Sequence, residues 1–303
     1  NIPAVVGLRN ISQQIKSGDC LIVDGTDGEV LINPPLAIRK EFVSKKKKYD
    51  DYQKELKKTA SLSSVTLDKE IFYPWANIEL PEEVSFALSM GAEGIGLFRS
   101  EFIYLQRTSL PTEEDHFNVY SQIAQKAYPS PVFIRTIDVG GDKNLPQMKI
   151  EKEPNPALGL RAIRFSLRER DLFKVQLRAI LKASTRKNVR VLIPMITEIE
   201  EIEEVKLLLR EVKQDLRKKR IEFDENIPLG AMIEVPAAAA ISDKIVKEVD
   251  YLSIGTNDLI QYYLAIDRSN ELVSYLFKPF HPSVLRLIKF IIETAQKEKK
   301  EVA

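Results

Sequence analysis

Cysteine and histidine are nearly absent from this sequence: one cysteine, Cys20, and two histidines, His116 and His281, in 303 residues. A lone thiol cannot close an internal disulfide, which excludes a disulfide-stapled fold and fits a reducing cytoplasm. Two histidines are too few for a His-built metal centre. No apolar run approaches the roughly 18 to 20 residues that span a bilayer, so no membrane insertion is expected. An excess of either charge is lacking too. Lys+Arg 45 against Asp+Glu 44 leaves a net charge of +1, and no general pull toward nucleic acid or anionic membrane follows. What is present is a soluble globular balance, 44% hydrophobic and 29% charged. The chain begins at Asn1 with no signal-peptide pattern, so a piece of a longer protein is expected.

Three composition zones follow one another. The first holds short β-like runs, and "CLIVDGTDGEVLINPP" predicts a hairpin turning at Asp27-Gly28. Cys20 lies in this hairpin region and is read as a small core residue. The second zone carries Lys45 to Lys48, with Phe42, Tyr49, Tyr52 and Leu56 at helical spacing. It reads as a solvated linker helix with one thin apolar stripe. From about residue 68, apolar runs alternate with amphipathic stretches. The predicted strands are 70–78, 93–98, 131–139, 189–195, 228–234 and 250–255. Between the fourth and fifth, Ile202, Val205, Leu208, Val212 and Leu216 mark one helical face. Thr112, followed by Glu113, Glu114 and Asp115, reads as a helix N-cap. Such alternation argues for an α/β chain with a parallel sheet, open or closed into a barrel.

In parallel α/β proteins ligands sit at the carboxyl ends of the strands. Polar residues end four of the six runs here: Arg99 in "GIGLFRSEF", Arg135 in "PVFIRTIDVGGDK", Glu234 in "LGAMIEVPAAAA", and Asn257-Asp258 in "SIGTNDLIQYYLAIDR", with Arg268 shortly after. Arginine's planar fork suits a phosphoryl group, and Glu234 and Asp258 offer hard oxygens suited to Mg²⁺. Taken singly, each has a plainer role: a surface ion pair for an arginine, a cap or salt-bridge partner for a carboxylate, a turn for "GGDK". Asn257-Asp258 could simply cap a helix starting at Leu259. His116 and His281 read as structural.

The blocks "GAEGIGLFRSEF", "RTIDVGGDK", "NPALGLRAIR", "LIPMI", "MIEVPAA" and "SIGTNDLIQYYLAIDR" closely resemble, in order, those of enzyme I of the bacterial phosphotransferase system, the phosphoenolpyruvate–protein phosphotransferases. The resemblance implies a phosphoenolpyruvate-binding (β/α)₈ TIM barrel at 65–303, lacking its C-terminal strands. Before it would come a helical linker at 35–64 and, at 1–34, the end of a phosphohistidine swivelling domain. By that count the last two barrel strands lie beyond Ala303. It implies that Arg99, Arg135 and Arg268 bind substrate, with Asn257 and Asp258 in the same pocket and Arg161 and Lys143 as further cations. Glu234 and Asp258 would hold Mg²⁺. It also implies transfer of the phosphoryl group through an enzyme histidine to a histidine-containing phosphocarrier protein, in a cytoplasmic enzyme that is a homodimer through the barrel domain. The family's histidine motif "TSH" and its cysteine motif "CGE" are both absent, so no catalytic residue is expected within these residues and this segment alone is expected to be inactive. Where the family usually has glycine, this chain has Glu79. Pyruvate, phosphate dikinase and phosphoenolpyruvate synthase share the barrel and form the alternative; a phosphoenolpyruvate-binding module without catalysis is another.

Overall fold

The computed structural model describes residues 2–8, 10–105, 107, 109–140 and 153–303. They divide into two compact units, residues 1–62 and 63–303. In the first, β1 (Leu21–Asp24) and β2 (Glu29–Ile32) pair antiparallel, with Asp24 opposite Glu29. The predicted hairpin is there, but four residues, Gly25 to Gly28, turn it. Gly28 has φ +72, in the region open to glycine. Cys20 is half-buried at the hairpin's base, not in a core, and its backbone N–H donates to Asn33 Oδ1. A helix follows over Leu36–Thr59; it buries no residue, and Tyr49, Tyr52 and Leu56 of its apolar stripe stay exposed.

The second unit is built on seven parallel strands in sequential order: β3 (Trp75–Ile78), β4 (Gly94–Arg99), β5 (Val132–Arg135), β6 (Val189–Ile193), β7 (Leu229–Ile233), β8 (Tyr251–Ile254) and β9 (Glu301–Val302). Helices Glu113–Ala127, Arg170–Ala183 and Ile199–Lys218 cover the outer face. The predicted face Ile202, Val205, Leu208, Val212 and Leu216 is wholly buried there. Thr112 caps the first of these helices: its hydroxyl accepts from Asp115 N–H, and Asp115 accepts in return from Thr112 N–H.

The inner face holds its own cluster, Phe133, Leu192, Met232 and Tyr251, flanked by Trp75 and Leu97. Neighbouring strands lie about 4.8 Å apart, so β5 and β8, three strands removed, would stand roughly 14 Å apart in a flat sheet. Instead the Phe133 and Tyr251 rings meet edge-on at 4.9 Å, and Phe133 reaches Trp75 of β3 at 4.7 Å. Tyr251 reaches over β7 to Val191 O of β6, and the rings meet on the inner face of a curled sheet. The fold is a seven-stranded half-barrel. Gly230 of β7 makes room for the plug: a Cβ there would lie 2.2 Å from the Tyr251 ring.

Three boundaries differ from the sequence reading. β3 begins at Trp75, not at residue 70, because Pro74 has no N–H to donate and Val65 and Ile71 form a separate antiparallel bridge. β5 stops at Arg135 because the Ile137 N–H goes to Gln176 Oε1 instead of a neighbouring strand. Finally, β9 lies within the chain, where the family count put two strands beyond Ala303. With two residues, Glu301 and Val302, behind the charged run "KEKK", it carries no hydrophobic pattern to find.

Candidate functional site

The strand register sets the first four groups. Arg99 and Arg135 are direct partners at the carboxyl ends of β4 and β5. Ile233 and Ile254 pair at the ends of β7 and β8, so Glu234 and Gly255 follow side by side. Gly255 needs its missing side chain, since a Cβ would lie 2.4 Å from Glu234 Oε2. Asn257 and Asp258 fall in the first turn of helix Thr256–Tyr263. That helix starts earlier than Leu259, so these two do not cap it from outside.

Arg99, Arg135, Arg161, Glu234, Asn257, Asp258 and Arg268 all line one open cavity of about 1810 Å³ at this end of the sheet. Lys143, with Gly141 and Asp142, lies outside the described residues.

Two arginines form a buried, ordered layer. Arg135 pairs with Glu101 and with Asp138, the latter at 3.4 Å. Arg161 donates through Nη2 to both oxygens of Asp138, at 2.9 and 3.1 Å, and reaches Asp258 Oδ2 at 3.2 Å. Its Nη1 donates to the Tyr262 hydroxyl at 3.0 Å. Gly140 permits this approach. Its φ is +105, and a Cβ would meet Leu160 O at 2.3 Å and Arg161 Cβ at 2.7 Å. Burial works against both cations, yet both are held more firmly protonated than a free guanidinium. Glu101, Asp138 and Glu234 outweigh burial at Arg135, and Asp138 and Asp258 do so at Arg161.

The other two arginines are freer. Arg99 has 41% of its side chain exposed and donates through Nη1 to Glu79 Oε1 at 2.8 Å. Arg268, similarly exposed, stands 4.0 Å from Asp258 Oδ1. The cavity thus has a buried, ion-paired inner pair of guanidiniums and a partly exposed outer pair.

Glu234 is almost fully buried, and one oxygen accepts from Met195 N–H at 2.6 Å. Burial pushes its carboxyl well above the usual range, and the charges of Asp138 and Asp258 add to the shift against Arg135. Burial beside other carboxylates disfavours the charged form of Glu234, and a bound cation would favour it. Two carboxylates also suit Mg²⁺, which commonly takes one or two from the protein and the rest from water and substrate oxygens. Among the described residues no cluster of three or more His, Cys, Asp or Glu forms a complete metal cage. A shared site with substrate oxygens is the arrangement these residues fit.

Sequence reasoning did not single out Glu101, Tyr262 or Gln176. Glu101 had a findable signal: it sits two residues beyond Arg99, where a buried arginine layer needs counter-charge. Gln176 had none. It projects from helix Arg170–Ala183, donating at 3.0 Å to Ser100 Oγ and to the Tyr120 hydroxyl while accepting from Ile137 N–H. His116 is buried and bonded through Nδ1 to Tyr120, and His281 caps helix Pro282–Lys297 by accepting from Ser283 N–H.

Comparison with known proteins assigns most of the chain to one family. Residues 53–303 match the family model of the PEP-utilising enzyme, PEP-binding domain. Phosphoenolpyruvate-protein phosphotransferases of Geobacillus stearothermophilus and Priestia megaterium are each 44% identical over 301 residues, covering 99% of this chain and 52% of theirs. That of Staphylococcus aureus is 44% identical over 299 residues with the same coverage. The chain therefore spans about half the length of the curated relatives it matches. A solved HpcH/HpaI aldolase/citrate lyase family protein from Burkholderia cenocepacia J2315 covers 82% of each chain at 12% identity, with a TM-score of 0.45, too slight a likeness to bear on function. Taken with a half-barrel whose strand ends converge on arginines and carboxylates, the family match places this chain among the PEP-utilising enzymes, with residues 53–303 their PEP-binding domain.

Proposed function

We propose that this chain is the substrate-binding part of a phosphoenolpyruvate–protein phosphotransferase. The observation that carries the reading is the convergence of Arg99, Arg135, Arg161 and Arg268 with Glu234 and Asp258 on one cavity at the strand ends. Arg135 and Arg161, fixed by buried carboxylates, would receive the phosphoryl oxygens without reorganising. Arg99 and Arg268 would close on the ligand from the rim, with Asn257 adding a neutral donor. Glu234 and Asp258 would hold Mg²⁺, which when bound supplies charge opposite the negative charge of the leaving enolate. In the whole protein the phosphoryl group would pass from the enol oxygen to a histidine nitrogen, then to a histidine-containing phosphocarrier protein. The enolate takes a proton to become pyruvate. Within these residues both histidines are committed elsewhere, His116 to Tyr120 and His281 to its helix cap. A cytoplasmic homodimer belongs to the same reading, and exposed Leu272, Tyr275 and Phe280 are side chains that self-association would bury.

Titration calorimetry of this chain with phosphoenolpyruvate tests the proposal. Binding should require Mg²⁺ and weaken at least tenfold in Glu234→Gln or Asp258→Asn, the loss typical of a charged partner in a polar site. Radiolabelled phosphoenolpyruvate should leave no stable label on His116 or His281. Mg²⁺-independent binding that ignores both substitutions would refute the site.

A further inference from the structure

The outer arginine, Arg99, does not meet the cavity with a free charge. Its Nη1 donates to Glu79 Oε1 at 2.8 Å, and Glu79 lies just after β3, outside the set of residues lining the cavity. The position of Glu79 is itself held. Glu83 Oε2 accepts from the backbone N–H of Glu79 at 2.7 Å and of Leu80 at 2.9 Å, pinning the loop at the start of helix Glu83–Ser89. These bonds hold the Glu79 backbone beside the end of β4, within side-chain reach of Arg99. Arg135 and Arg161, by contrast, are tied to carboxylates buried within the site.

We propose that Glu79 is an affinity- and specificity-setting residue: an internal carboxylate that competes with the anionic ligand for Arg99. An anion that takes the Nη1 donor of Arg99 must first displace Glu79, and one that binds its other N–H groups shares the charge with it. A multiply charged phosphate ester can offset that loss through the other three arginines. A singly charged carboxylate, with fewer contacts, gains too little. Both members of the pair are more than a third exposed, with 41% and 37% of the side chains accessible. Exchange is therefore easy, and its effect is that of a surface ion pair. The inference rests on the cavity being the phosphoenolpyruvate site.

The experiment is calorimetric titration of the chain with phosphoenolpyruvate and Mg²⁺ in four forms: wild type, Glu79→Gln, Arg99→Gln and the double variant. Glu79→Gln should bind roughly two- to five-fold tighter than wild type, the range an exposed ion pair spans. Arg99→Gln should bind more weakly, and adding Glu79→Gln to it should restore nothing. That last arm separates competition through Arg99 from a general field effect. Glu79→Gly serves as a second variant lacking any side chain and should show the same gain. Equal or weaker binding by both Glu79 variants overturns the inference while leaving the site intact, as does an equal gain in the Arg99→Gln background. Absence of binding in every form, wild type included, overturns the site and the inference together.

Discussion

Arg99 and Arg135 are neighbours in the sheet and carry the same charge, yet their environments predict opposite mutant behaviour. Removing Arg135 takes a buried guanidinium away from Glu101 and Asp138, a change expected to cost about 3 kcal/mol. Removing Arg99 breaks one half-exposed pair and should stay within about 0.5 kcal/mol. Denaturant unfolding of Arg135→Ala and Arg99→Ala checks this: comparable midpoints would show that Arg135 is not part of a buried ion network. A second residue-scale prediction concerns His116. Burial lowers its imidazole from 6.5 to about 4, so the folded protein prefers the neutral ring. A depressed value means the stabilisation is complete above pH 6.5 and is lost as pH falls from there through about 4. The loss should total at most about 3 kcal/mol. Because carboxylates titrate in the same window, the quantity to measure is the stability difference between wild type and His116→Asn. That difference should shrink as pH falls from 7 to 4; a constant difference would mean that the ring does not titrate as its burial requires.

At the scale of elements, the curl of the sheet depends on an inner plug seated against bare backbone. Gly230→Ala would put a methyl into the Tyr251 ring, which is fixed at its far end by donation from its hydroxyl to Val191 O. Neither side can yield cheaply, so overpacking of about 1–3 kcal/mol is expected, read as a lower unfolding midpoint with little change in the folded circular dichroism. An unchanged midpoint would mean that the plug has slack. Elements with a long, repeated pattern were legible in advance. Helix Ile199–Lys218 showed its buried face at helical spacing, and the six longer strands showed theirs as apolar runs. The candidate site residues were legible because parallel strands all end on one side, so a list of strand-terminal polar residues is also a spatial list. What stayed hidden depends on contacts distant in sequence. Gln176 reaches Ser100 and Ile137 across 76 and 39 residues, and no local pattern signals that. The end of β5 was misjudged for the same reason, because the Ile137 N–H just beyond it was captured by this side chain. The Glu79–Arg99 pair spans 20 residues and two strand ends, so its geometry too emerges only in the folded chain.

For the molecule as a whole, charge balance recurs at every level. The chain carries a net charge of +1, no described helix is long and apolar enough to cross a membrane, and the groups gathered in and behind the cavity come close to the same balance. Four guanidiniums, of Arg99, Arg135, Arg161 and Arg268, stand among the carboxyls of Glu79, Glu101, Asp138, Glu234 and Asp258. Most of the attraction those arginines could offer a trianion is already spent internally. On the proposed reading, a divalent cation arriving alone would meet the opposite difficulty, nearby guanidiniums and a buried carboxyl that disfavours its charged form. Each visitor removes the other's obstacle. Thermodynamic reciprocity then requires that whatever factor the cation adds to the affinity for the phosphate ester, the ester adds to the affinity for the cation. On the proposed reading such a cavity would respond to the pair of ligands more than to either one, so its occupancy would rise with the product of two concentrations.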